Sequence, residues 1–223
     1  MIVDLRVYTY LPSKYRKFLK GYEEIGFALT SKHLGKTLGI FRPESGLQNR
    51  TFQFFMYRDS PHRDACRRGM LADPAWGEFV RIDSDALLEQ RNTLLQPTSF
   101  SALQTPDDLA PEPAADQPTR LFELRSWACL PDRYDSMAKL LAEGGAALLA
   151  RHAPDVLGWF TATTGVDHRL FQLTAYADAL ARDNSRTAAG EDLEVKALVA
   201  RLRQMTREEE SQLLLPMPYS PTR

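Results

Sequence analysis

"IVDLRVYTYLPSKY" (residues 2–15) and "LFELRSWACLPDRY" (121–134) align without a gap, Arg6 on Arg125 and Tyr15 on Tyr134. The same offset of 119 residues carries His33 onto His152, Gly39 onto Gly158, Arg50 onto Arg169 and Gln53 onto Gln172. Tyr57 falls on Tyr176, Arg63 on Arg182 and Pro97 on Pro216. Register kept over so many positions with no insertion is the mark of a tandem duplication. The first copy spans 1–101 and the second 120–223. Between them, 102–119 reads "ALQTPDDLAPEPAADQPT", rich in Pro, Ala and Asp and without aromatics, which predicts an extended linker over the surface.

Each copy holds the same run of elements. Residues 2–11 alternate with period two and are rich in Val, Tyr and Leu, predicting a strand. After Pro12, the residues Tyr15, Phe18, Leu19, Tyr22, Ile25 and Leu29 recur at helical spacing, and Gly35 stands where a helix would want a left-handed C-terminal residue. "TLGIFRPES" and "NRTFQFFMYR" read as two strands joined by a turn at Ser45-Gly46. A second helical region covers roughly 61–91, interrupted near Asp73-Pro74, and a short strand, "NTLLQPTSF", closes the copy. The order is βαββαβ, the ferredoxin-like arrangement, in an α+β protein. Such a unit has helices over one sheet face and leaves the other open. Two copies packed through their open faces would form a pseudo-twofold α/β barrel within one chain, with further homodimerisation possible but not required.

Composition narrows the function classes. The chain of 223 residues is 43% hydrophobic and 26% charged, as expected of a globular protein with a sizeable core. A formal net charge of −1 gives no general attraction for nucleic acid or anionic membrane. The basic cluster "HRDACRRG" (62–69) reads as a solvated helix face. Cys66 and Cys129 form no CxxC pair, so neither a disulfide framework nor a zinc site is implied, and Cys129 reads as a small buried residue. No apolar run is long enough to cross a bilayer. "MIVDLRVYTY" enters a strand at once and leaves no room for a signal peptide, which predicts a cytoplasmic protein. Dinucleotide, NTP, serine-hydrolase and zincin motifs are missing, and histidines 33, 62, 152 and 168 lack a metal-ligand spacing.

Three constellations offer chemistry. His33 and His152 extend the apolar stripe of their helices and should look toward the sheet near a helix C-terminus. Each would be a core histidine tied to a neighbouring strand, a general acid/base, or a haem ligand. Gly26 and Gly145 on the same stripe imply either close helix–sheet approach or free volume beside the histidine. On the first strand, Asp4, Arg6 and Tyr8 share one face, and Glu123, Arg125 and Trp127 share it in the second copy. With Val3, Leu5 and Val7 assigned to the helices, the acid–Arg–aromatic row would face the barrel interior. There it would be a structural network, or Arg6 and Arg125 would anchor a substrate carboxylate or phosphate. Gln53 with Tyr57, and Gln172 with Tyr176, share a strand face suited to a carbonyl or phenol ligand.

The first copy resembles the NIPSNAP family of the dimeric α/β-barrel superfamily. The motifs are "VDLRVYTYLPSKYRKFLKGYEEIG", "KHLGKTLGIFRPESGLQN", "ADPAWGEF" and "QRNTLLQPTSFS". The second copy carries it through "FELRSW", "RHAPDVLGWF" and "LLLPMPYSP", but has His168 for Asn49 and "EDLEV" for the Asp-Pro-Ala-Trp stretch, so the two pockets need not share chemistry. The resemblance implies the barrel fold. It also implies a superfamily of cofactor-free monooxygenases, small cyclases and isomerases, and haem-dependent enzymes, alongside family members linked to protein interaction. The expectation is an enzyme acting by acid/base chemistry on a small apolar or aromatic carbonyl or phenolic metabolite, as isomerase, cyclase, lyase or cofactor-free monooxygenase. His33, His152, Tyr57 and Tyr176 would be catalytic, and Arg6, Arg125, Gln53 and Gln172 would bind substrate, with no metal and no cofactor. The alternatives are a non-catalytic binding or oligomerisation module and a haem-binding protein. A small molecule is the expected partner, with no nucleic acid and no membrane.

Overall fold

The computed structural model describes residues 1–109, 118–153, 155–165 and 168–223, with the side chains of residues 82 and 83 left aside. Residues 110–117 of the expected linker lie outside the described residues. Each repeat gives four strands: β1 (Ile2–Tyr10), β2 (Lys36–Pro43), β3 (Arg50–Tyr57) and β4 (Leu87–Pro97), then β5 (Leu121–Cys129), β6 (Val156–Ala162), β7 (Arg169–Tyr176) and β8 (Thr206–Pro216). All pairings are antiparallel, and they close an eight-stranded barrel in the order β1-β3-β2-β8-β5-β7-β6-β4. The helices α1 (Tyr15–Gly21), α2 (Phe27–His33), α3 (Ser60–Ala72) and α4 (Pro74–Asp83) cover the first repeat. Their counterparts are α5 (Tyr134–Leu140), α6 (Ala146–Ala150), α7 (Ala179–Glu191) and α8 (Leu193–Gln204). None of the described helices is long and apolar enough to cross a membrane.

Two seams join the repeats, and each is the image of the other. Phe41 faces Pro216 across β2–β8, and Phe160 faces Pro97 across β6–β4. The backbone N–H of Ile40 donates to Ser220 Oγ at 3.0 Å, and that of Trp159 donates to Ser101 Oγ at 3.0 Å. The inward faces meet in one apolar core containing Val3, Leu5, Phe41 and Phe54 from the first repeat and Phe122, Leu124, Phe160 and Leu173 from the second. Phe41 and Phe122 lie 4.8 Å apart between ring centres.

The facing expected for β1 is therefore reversed. Val3 and Leu5 line the barrel, whereas Asp4, Arg6, Tyr8 and Tyr10 lie under the helices, Asp4 meeting Arg63 of α3 and Tyr10 stacking on Phe18 of α1. Alternation separates two faces without saying which is inside. The charged row belongs where helix-borne arginines can neutralise it, since a buried charge needs a partner.

Other departures have local causes. The first helix is broken by a turn of π-helix, Tyr22–Gly26, repeated at Leu141–Gly145. The helical reading of 61–91 runs too far: α4 ends at Asp83 and β4 begins at Leu87, because pairing with β1 along "LLEQRNTLL" overrides the helix preference of Leu, Glu and Gln. Gly35 is not left-handed; its neighbour Leu34 is extended, and a Cβ at Gly35 would lie 2.0 Å from the Met56 carbonyl oxygen. The left-handed non-glycine positions among the described residues are Asn49 and His168, which match each other across the repeats. The linker does not simply run over the surface, because Leu103 is buried in the barrel core.

Replacing Phe122, fully buried at the contact between the repeats, with Ala is expected to lower stability by about 3–5 kcal/mol. Urea denaturation followed by circular dichroism measures it, and two separate transitions of which only one is shifted would contradict a shared core.

Candidate functional site

The histidines hold helices together. His33 ends α2, and its Nε2 donates to Asp73 Oδ2 at 2.7 Å; His152 does the same to Asp192 at 2.9 Å. Asp73 and Asp192 are the N-caps of α4 and α8, accepting from the backbone N–H groups of Ala75, and of Glu194 and Val195. The tie runs to a helix start rather than to a neighbouring strand. Gly26 and Gly145 serve the same contact between helices. A Cβ would lie 2.6 Å from the Phe79 ring at Gly26 and 3.3 Å from Leu198 at Gly145, so the space is neither a helix–sheet approach nor open volume. The Lys32 and His33 hydrogen bonds hold the Asp73 carboxyl well below the usual carboxylate range. The His152 bond, followed by the helix backbone, lowers Asp192 to about 2.

The cavity of the first repeat lies between helices and sheet, and neither histidine lines it, although Leu34 beside His33 does. It measures about 120 Å³, roughly the share of four liquid waters. Aromatic walls come from Phe18, Trp76 and Phe79; polar groups come from Arg6, Gln53, Arg67 and Gln90. Arg6 on β1 sits opposite Gln53 on β3. Arg63, Arg67 and Met70 recur on one side of α3 and turn toward the sheet, so the "HRDACRRG" cluster is not only a solvated face.

Charge balance separates the two repeats. In the second, Glu123 accepts from Arg182 at 2.7 Å, from Arg186 at 2.8 Å and also from Ser211 and Tyr176, while Glu209 pairs with Arg125. In the first, Asp4 replaces Glu123 and is one methylene shorter. It accepts from Arg63 at 2.9 Å and from Asn92 at 3.2 Å, and leaves Arg67, the counterpart of Arg186, without an ion pair among the described residues. Gln90 replaces Glu209, so Arg6 loses its carboxylate as well. Among the described residues neither guanidinium donates a hydrogen bond; Arg6 Nε and Arg67 Nη1 are buried without partners. Burial, then the cations Arg6 and Arg63, push the Arg67 pKa down. In the second repeat Trp127 and Trp159 stack at 5.5 Å, and the equivalent space shrinks to about 10 Å³ lined by apolar side chains.

Of the residues marked by sequence, Arg6 and Gln53 come together at this cavity. Arg125 is 4.7 Å over the Trp127 ring and paired with Glu209, and Gln172 is buried opposite it. Tyr57 lies beside the charge cluster rather than on the cavity wall. Burial, then Asp4, push its phenol well above the ordinary value, and its hydroxyl has no partner among the described residues. Tyr176 is raised by burial and by Glu123. Both phenols are thus protonated donors near neutral pH. Arg67 and Gln90 join Arg6 and Gln53 at the cavity with no motif of their own; the repeat itself sets them apart, since Arg186 matches Arg67 while Glu209 carries a charge that Gln90 lacks.

Comparison with known proteins places the chain. The NIPSNAP family model matches residues 3–102 and again 122–221. The chain belongs to the NIPSNAP family. Protein NipSnap homolog 1 of Danio rerio is 26% identical over 191 residues, 83% of this chain and 63% of that protein, so this NIPSNAP chain spans less than two thirds of its relative. Among solved structures, a candidate monooxygenase from Fusobacterium nucleatum superposes with a TM-score of 0.67 at 9% identity, covering 96% of this chain and 91% of its own. An anthrone oxidase-like protein gives 0.63 at 14% identity, with 97% and 91% covered. These two likenesses establish the barrel fold across both repeats.

The depressed Asp192 carboxyl gives stability that is complete above the ordinary carboxylate range and is lost as pH falls through about 2. Asp192→Asn should be less stable than the parent at neutral pH and should converge with it in acid. Urea midpoints measured from neutral pH downward test this; parallel profiles would contradict it.

Proposed function

We propose that this NIPSNAP chain binds a small organic anion in the helix–sheet cavity of its first repeat and favours the anionic form of a carbonyl ligand there. One observation carries the reading: at an aromatic-walled cavity, buried Arg6 and half-buried Arg67 lack acid partners among the described residues, while their counterparts in the second repeat are neutralised. An anion restores the missing charge balance, and Arg recognises a carboxylate through paired N–H donors. Gln53 and Gln90 supply amides for an adjacent carbonyl, and Trp76, Phe79 and Phe18 suit a short apolar body. Short 2-oxo acids combine these features.

The described lining contains no carboxylate and no imidazole. The site therefore acts through electrostatic stabilisation, not through His33 or His152 as a base. Cations fixed beside a carbonyl lower the energy of its enolate, whose α-proton passes to water. This refines the acid/base expectation and needs no cofactor. The second repeat serves as the structural half.

Calorimetry with pyruvate and its longer homologues tests the binding. Gln90→Glu supplies Arg6 with the carboxylate that Glu209 gives Arg125, and should weaken binding by about tenfold or more. Undiminished binding by that variant, or no binding by the parent chain, would remove the reading. Exchange of the ligand's α-hydrogens with deuterium, followed by NMR, reports enolisation separately.

A further inference from the structure

The opposite face of β1 borders a second and larger cavity. It opens at one end of the barrel, measures about 870 Å³ and is lined by both repeats in matched pairs: Leu5 with Leu124, Phe52 with Phe171, and Arg50 with Arg169. Side chains facing into a closed barrel are ordinarily apolar and fill it. Here Arg91 and Thr93 of β4 lie on the face of Val7 and Leu5, and Glu210 and Gln212 of β8 lie on that of Ser126 and Leu124. This end of the barrel is an apolar well with a charged rim.

The rim is not symmetric. Arg169 is paired with Glu208 and with Glu210, the latter at 2.8 Å, and also donates to Ser126 at 2.9 Å. The position matching Glu210 in the first repeat is Arg91, a reversal of charge. Arg91 draws Glu89, the counterpart of Glu208, to itself at 2.7 Å. Arg50 is left with Thr9 Oγ1 at 3.1 Å and no ion pair among the described residues. We infer that this barrel mouth is a second ligand site, taking an amphipathic monocarboxylate with its carboxylate on Arg50 and its hydrocarbon against Leu5, Phe52, Leu124 and Phe171. The volume falls in the range of small-molecule sites, and the unpaired cation stands at the edge of the apolar surface. The site is independent of the helix–sheet cavity, from which β1 and β3 separate it.

Decanoate, too long for the smaller cavity, is the probe, with decanol as the uncharged comparison. Calorimetry should show decanoate binding more tightly than decanol by about tenfold or more, and an excess of pyruvate, the ligand of the smaller cavity, should leave it unchanged. Arg91→Glu lies on the exposed rim and recreates the pairing of the second repeat, so it should weaken decanoate by a similar factor; Arg50→Gln should do the same. Equal binding of decanoate by the parent chain and Arg91→Glu, displacement of decanoate by pyruvate, or no binding by the parent would each overturn the assignment. A urea midpoint shared by the variants and the parent excludes misfolding as the cause of a loss.

Discussion

Burial of the open sheet face is the constraint on which the structure depends. Helices screen one side of each four-stranded unit, and the other side carries Val3, Leu5, Phe54 and Phe41, or Phe122, Leu124, Leu173 and Phe160. Leaving such a face in water would forfeit roughly 1.5–3 kcal/mol for each large side chain exposed. Closing two units on each other removes both faces from solvent at once. It also ends the edge strands β2, β4, β6 and β8 in seams rather than in free hydrogen-bonding edges. The seams need little pairing, three residues on each side, because the apolar core between them supplies the adhesion.

Joining the units in one chain frees them to diverge. A homodimer must change both sites together, whereas a duplicated chain can change one. Small differences do the work: Asp4 for Glu123 shortens an acid by one methylene, Gln90 for Glu209 removes a charge, and Arg91 for Glu210 reverses one. Arginines that are neutralised in the second repeat thereby lose their partners in the first. Tyr8 and Phe18 stand where Trp127 and Met137 stand, and the small cavity survives only beside the unpaired cations. Positive charge and free space coincide in one half of the molecule.

The periodicities in the sequence expose the two repeats, the strand and helix order, and the barrel that joins them. Arg6 and Gln53, which stand out in the sequence as matched polar residues on neighbouring strands, line one cavity. Helical spacing places the histidines on a buried stripe without naming a partner. Each is satisfied by an aspartate some 40 residues away that caps another helix. Arg67 was hidden in a basic cluster whose composition suits a solvent face. Its place on the cavity wall depends on the rotation of α3 over β1, which no local pattern encodes.

Alternation and the 119-residue offset thus settle, from sequence alone, that two βαββαβ units exist and that they meet through their open faces. Which face of β1 turns inward is decided by tertiary structure. Both rows carry large side chains, and only the position of Arg63 on α3 tells Asp4 where its counter-charge lies. The same holds for the unpaired arginines. A charge is neutral or exposed according to what stands within about 4 Å of it, and that distance exists only once the helices have packed.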